Sequence, residues 1–151
     1  MIINVMSREN AVKYSFDTHK EKVAVLSISD SDKEFPRLEN NPDNGIIWRC
    51  KVKFDDVEKG EKHCITEEDA LNIYSFVTSV AESYDTLIVH CEAGVSRSAG
   101  VAAAIMKAIN GDDWDVFSNP KYVPNMTCYR TVLNTFFQIE EDRRGLWGET
   151  K

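Results

Sequence analysis

The chain has no run of 18 consecutive apolar residues and no basic leader followed by a long apolar stretch, so neither a membrane-spanning helix nor an export signal is expected. Cysteine is scarce. Cys50, Cys64, Cys91 and Cys128 are the four among 151 residues, without C-x-x-C spacing or the density of a disulfide-stapled secreted domain. A reducing cytoplasm is the expected compartment. Positive charge is in short supply too: 18 Lys and Arg against 25 Asp and Glu leave a formal charge of −7. That balance argues against a general nucleic-acid or anionic-membrane surface, although a local basic mouth remains open. There is no G-x-x-x-x-G-K-[ST] loop to support nucleoside triphosphate chemistry, and there are no internal repeats or low-complexity tracts. What remains, 42% hydrophobic and 28% charged, is the composition of one globular domain spanning residues 1–151.

The most informative stretch runs from Thr86 to Ile109. Thr86-Leu87-Ile88-Val89 has the length and composition of a buried strand, and Ala99 to Ile109 carries one charge in a helix-forming run. Between them lie His90, Cys91, Glu92, Ala93, Gly94, Val95, Ser96, Arg97 and Ser98. A strand, a glycine-bearing turn and a helix start place backbone N–H groups, which have no intrahelical partners, around whatever occupies the turn. Such a cradle takes an anion, and Arg97 adds a planar fork able to grip two phosphate oxygens at once. The same surroundings favour a thiolate over a thiol at Cys91, and a thiolate beneath a phosphate is a nucleophile. The Ser98 hydroxyl is spaced to donate to the sulfur and ease its departure.

Elsewhere, Ile2 to Met6 reads as a short strand and Ser7 as the cap of a short helix. Lys22 to Ile28 reads as a buried strand. Asp30 to Gly45, with two prolines and many charges, reads as a surface loop bordering the cleft. Ile46 to Phe54 alternates with Cys50, Val52 and Phe54 inward, as a half-buried strand does. Thr66 starts a helix whose apolar face contains Leu71, Ile73, Tyr74, Phe76, Val77, Val80 and Ala81. Strand, helix and strand in this order predict an α/β fold with a mostly parallel central sheet flanked by helices. Beyond Gly111, Asp112 to Trp114 opens a short segment, and Tyr129, Val132, Leu133, Phe136 and Phe137 form the buried stripe of a last helix. Glu140 to Lys151 reads as a charged tail, in which Trp147 has no evident role.

His90-Cys91, five residues, Arg97 and Ser98 resemble the signature loop of the cysteine-dependent protein tyrosine phosphatases, and the short chain resembles their dual-specificity branch. The resemblance is strongest from Phe54 through Asn110. It implies a phosphate monoester hydrolase in which Cys91 attacks phosphorus, Arg97 and the backbone of Glu92, Ala93, Gly94, Val95 and Ser96 hold the phosphate, and Ser98 stabilises the returning thiolate. It also implies a carboxylic acid on the loop after a strand upstream of the cysteine. Asp56 matches that pattern better than Asp55, and Asp30 and Asp32 are the fallbacks. His90 is expected to orient the loop. Asn125 reads as a helix cap, with bracing of the loop as a second role. The expected substrate is a phosphorylated protein and the expected state a monomer, with no nucleic-acid or membrane partner.

Other chemistry has less support. His63-Cys64 and His90-Cys91 fit no structural zinc spacing, and a metal would consume the nucleophile, so no metal or organic cofactor is expected. A phosphate-binding module without turnover and an arsenate-reductase-like thiol enzyme are the alternatives. The second needs a resolving cysteine, and none lies in the loop or in the helix after it.

Overall fold

A computed structural model describes residues 1–39 and 46–148. Within them the strands β1 (Ile2–Ser7), β2 (Val23–Ser29), β3 (Ile46–Lys53) and β4 (Thr86–Cys91) form an all-parallel sheet in the order β1-β4-β2-β3. The helices are α1 (Arg8–Phe16), α2 (Glu67–Val80), α3 (Arg97–Asn110), α4 (Trp114–Phe117) and α5 (Met126–Gly148). Helix α1 lies between β1 and β2 and α2 between β3 and β4, while the parallel neighbours β2 and β3 are joined by residues 30–45; the helices cover both faces of the sheet.

This cover explains the composition of the central strands. All seven residues of β2 are buried, because successive side chains enter two different cores. Ala24, Leu26 and Ile28 join Leu87, Val89 and Ile105 in the larger core, which also takes the apolar sides of α2 and α5. Val23 and Val25 join Ala11, Leu38 and Ile88 on the opposite face. Leu38 and Pro36 are buried, so the connection after β2 is partly core and not wholly surface loop; its residues 40–45 lie outside the described set.

Helix α2 starts at a capping box, in which Thr66 and Asp69 each receive the other's backbone N–H through a side-chain oxygen. Its buried stripe runs through Ala70, Ile73, Phe76, Val77 and Val80. Leu71 is a correction to the expected face: it lies about 100° around the helix from Ala70, off that stripe, and is 48% exposed. Phe137, at 49% exposed, misses the Cys128, Val132 and Phe136 stripe of α5 for the same reason. The expected charged tail is also corrected. Helix α5 continues to Gly148, since Glu, Arg and Gln are good helix formers and pair along its surface, as Arg143 does with Glu140 at 3.6 Å. The Trp147 side chain and residues 149–151 lie outside the described set. Among the described residues no helix is long and apolar enough to cross a membrane.

Candidate active site

Strand β4 ends at Cys91 and α3 begins at Arg97, so the five residues between them turn at the carboxyl end of a central strand, where parallel sheets gather ligands. Gly94 lets the turn lie flat. Its φ is +70°, and a Cβ there would stand 2.5 Å from backbone atoms of Met6 and Ser7. The loop thus packs against the end of β1, where Ser7 pairs in register with Cys91 and the Arg8 N–H donates to the Glu92 carbonyl at 3.1 Å.

The Cys91 side chain is 2% exposed. Its Sγ lies 3.0 Å from the Ser98 Oγ and 3.4 Å from the Ser98 N–H, two donors from the first turn of α3 facing one sulfur. Charge on that sulfur is therefore met by hydrogen bonds. Burial pushes the Cys50 thiol up, and burial, then the negative Asp56, push Cys128 up to about 12. Cys128 is near enough for the charge of Cys91 to count against its own ionisation, but a thiol held that high makes a poor resolving nucleophile.

Arg97 is 5% exposed, and its Nη1 donates both to the Phe54 carbonyl at 2.8 Å and to Asp30 Oδ1 at 2.7 Å. With Nη1 committed on both sides, the guanidinium is held in one plane and its other edge is left for an oxyanion. Asp30 is thus paired with the arginine and does not stand as a spare acid. It reaches the arginine because β2 pairs with β4, a neighbourhood that neither strand's sequence shows.

The two consecutive aspartates after β3 face different neighbours. Asp55 Oδ1 accepts from the Ser31 N–H at 2.8 Å; bonds to Ser31 hold this carboxyl below its ordinary value, against an opposing effect of desolvation and with lesser help from His63 and Arg97. Asp56 faces the signature loop. Its Oδ1 accepts from Ser96 Oγ at 2.8 Å and from Asn125 Nδ2 at 2.9 Å. Ser96, at the α3 cap position, makes no side-chain capping bond, so no cap competes with an anion for the helix-start N–H groups other than that of Ser98, which meets Cys91.

Asn125 bonds both to the first turn of α5 and to the residues around the loop. Its Oδ1 accepts from the Cys128 N–H at 2.9 Å, capping α5, while its Nδ2 reaches Asp56 and the Val57 carbonyl and its N–H donates to the Ser96 carbonyl. Gly100 permits this approach: a Cβ on it would sit 2.4 Å from the Asn125 carbonyl oxygen. Gly100→Ala is expected to destabilise the protein by about 1–3 kcal/mol, as overpacking does, read from the urea midpoint. An unchanged midpoint would mean that α3 and the Asn125 turn are not packed this closely.

The remaining loop residues have smaller parts. Glu92 and Ala93 are exposed, with Glu92 carboxylate 3.7 Å from Lys33, and the Val95 carbonyl accepts from the Val123 N–H at 3.1 Å. His90 is fully buried below the loop, 2.6 Å from Ser27 Oγ through Nε2, and burial followed by the nearby Arg49 charge pushes it down to about 4. Among the described residues no group of three or more His, Cys, Asp and Glu is placed to hold a metal.

Solved structures share this arrangement of strands and helices. Human DUSP28 superposes with a TM-score of 0.63 at 14% identity, over 93% of this chain and 94% of its own. PTPMT1 in complex with PI(5)P gives a TM-score of 0.60 at 13% identity over 94% of each chain. Tk-PTP in its active form gives 0.56 at 14% identity over 89% of each. This chain has the dual-specificity and tyrosine phosphatase fold. No protein-family model matches the sequence, and no curated protein does. At such low identity the phosphatase fold is common ground, and the chemistry has to be argued from the side chains of this chain.

Proposed function

We propose that the protein is a cysteine-dependent phosphate monoester hydrolase that acts on phosphotyrosine first, and on phosphoserine or phosphothreonine more weakly. The observation that carries this reading is the junction of Cys91, Ser98, Arg97 and Asp56 around one loop, with Ser96 and Asn125 tying the carboxyl to the loop. In the first step the Cys91 sulfur forms a bond to phosphorus as the bond to the leaving oxygen breaks, and Asp56 gives that oxygen its proton. Arg97 and the N–H groups at the start of α3 hold the three equatorial oxygens. In the second step water attacks phosphorus, Asp56 takes its proton, and the sulfur leaves as a thiolate stabilised by Ser98.

The composition of the loop argues for recognition of a single phosphate group. Glu92, Ala93, Gly94, Val95 and Ser96 include no cation, and the exposed Glu92 carboxylate stands against a polyanionic headgroup such as the PI(5)P bound by PTPMT1. Phosphate release from a panel of phosphotyrosine, phosphoserine, phosphoinositide and RNA 5′-phosphate substrates tests the assignment. Phosphotyrosine is expected to lead; a marked preference for inositol phosphates overturns the substrate class, and release from none of them overturns the activity.

Asp30 enters through Arg97. Asp30→Asn keeps an oxygen for Nη1 but removes the charge that holds the guanidinium in plane, and a loss of kcat/KM up to about 10²-fold is expected for such a misplacement. Steady-state kinetics on an aryl phosphate measures it. Wild-type values would show that Phe54 alone is enough to orient Arg97.

A further inference from the structure

His90, Ser27 and Arg49 make a row across three neighbouring strands, on the face of the sheet opposite the Cys91 side chain. Ser27 pairs in register with His90 on β4, while Arg49 on β3 pairs with Val25, two residues before Ser27. His90 alternates with Ile88 and Ser27 with Val25, both members of the smaller core. The row thus runs from the edge strand to the residue preceding the nucleophile.

Its hydrogen bonds have a direction. Arg49 Nε lies 2.8 Å from Ser27 Oγ, and an arginine N–H can only donate, so Ser27 accepts there. The Ser27 side chain is fully buried, and its own proton needs an acceptor. Among the described residues the acceptor within reach is His90 Nε2 at 2.6 Å. A bare Nε2 on a neutral ring leaves the proton on Nδ1. Nδ1 is buried and has no hydrogen-bond partner among the described residues, so no contact there competes with the Ser27 hydroxyl in placing the ring proton. Arg49 is itself pinned, because Nη2 donates to the Pro36 carbonyl at 2.9 Å. The charges facing His90 are Arg49 and Arg8, both positive, so the ring is neutral at neutral pH.

We propose that Arg49 is a positioning residue of the active site: through Ser27 it fixes the proton of His90, the residue that precedes Cys91 on β4, on Nδ1. Remove Arg49 and the Ser27 hydroxyl is free to accept from Nε2–H, so the ring no longer has one preferred orientation toward the loop. The kinetic part rests on the phosphatase reading; the placement of the proton does not.

Side-chain ¹⁵N NMR at neutral pH tests it, since the chain has 3 histidines to resolve. In the substrate-free wild type His90 is expected to show a protonated Nδ1 and an unprotonated Nε2, whereas the reverse pattern overturns the proposal and requires no variant to fold. Arg49→Met, which keeps the bulk, is expected to move His90 toward the Nε2–H form; an unmoved tautomer in the folded variant also overturns the proposal. Its kcat on an aryl phosphate is expected to fall about tenfold with KM little changed, the result of a displaced loop and not of lost binding. Unchanged kcat with a changed tautomer overturns the positioning role. A chain with the expected tautomers but no phosphate release on any substrate sinks the phosphatase reading alone.

Discussion

Cys91→Ser is expected to lower phosphate release by about 10⁴-fold or more while leaving the anion site able to bind phosphate or vanadate. A serine in this position keeps the two Ser98 donors within reach but offers a hydroxyl that stays protonated, and the adjacent His90 is not placed as its base, since it faces Ser27 on the other side of the sheet. Binding survives because the cradle is built from Arg97 and the start of α3. Calorimetric titration with phosphate beside a turnover assay separates the two quantities. Full activity in Cys91→Ser would sink the mechanism. Arg97→Lys forms the contrast, since its ammonium would have to serve Asp30, the Phe54 carbonyl and the phosphate together; both binding and turnover are expected to fall.

The second large effect belongs to Asp56→Asn. Asparagine keeps an oxygen where Ser96 and Asn125 donate, so the loop geometry is retained and the acid is removed. Turnover of phosphotyrosine, which leaves poorly as a phenolate, is expected to drop by about 10²- to 10⁴-fold, and turnover of an activated aryl phosphate by far less. The high-pH limb of the rate profile, where the acid loses its proton, is expected to flatten. Asp55→Asn is expected to do neither. The Asp55 carboxyl lies below its ordinary value in the fold, so its contribution to stability is present at neutral pH and fades as pH falls through the lowered value, away from that limb. If Asp55→Asn instead gave the leaving-group dependence, the acid role would move one residue upstream.

Local features of the site were readable from the chain because their parts are neighbours in sequence: Cys91, Gly94, Arg97 and Ser98 share a single strand-to-helix turn. The strands showed through their continuous apolar runs, and the helices through their spacing. Contacts made across the sheet were hidden. Asp30 meets Arg97 only because β2 lies beside β4, and a strand order is not written in either strand alone. Ser96 resembles any loop serine until Asp56 arrives from β3, and Asn125 resembles any cap until its amide is seen to span the gap to the same carboxyl. Leu71 and Phe137 failed for a different reason. A wide apolar face states which residues are able to be buried, whereas the partner helix decides how broad the buried stripe is.

The edge position of β1 has a consequence for the order in which the molecule comes apart. Its contacts in the sheet are with β4, and Ile2 pairs with Thr86, so the chain between them must close before that strand gains anything. An edge element with such distant partners is the part most readily released by local opening, ahead of the β2 and α3 core. Release of β1 takes away the backbone of Met6 and Ser7 behind Gly94 and the Arg8 bond to Glu92. The nucleophile loop would then lose its wall while most of the protein remained folded, so inactivation on warming or in mild denaturant precedes global unfolding, and amide exchange near Glu92 follows β1 and not the core.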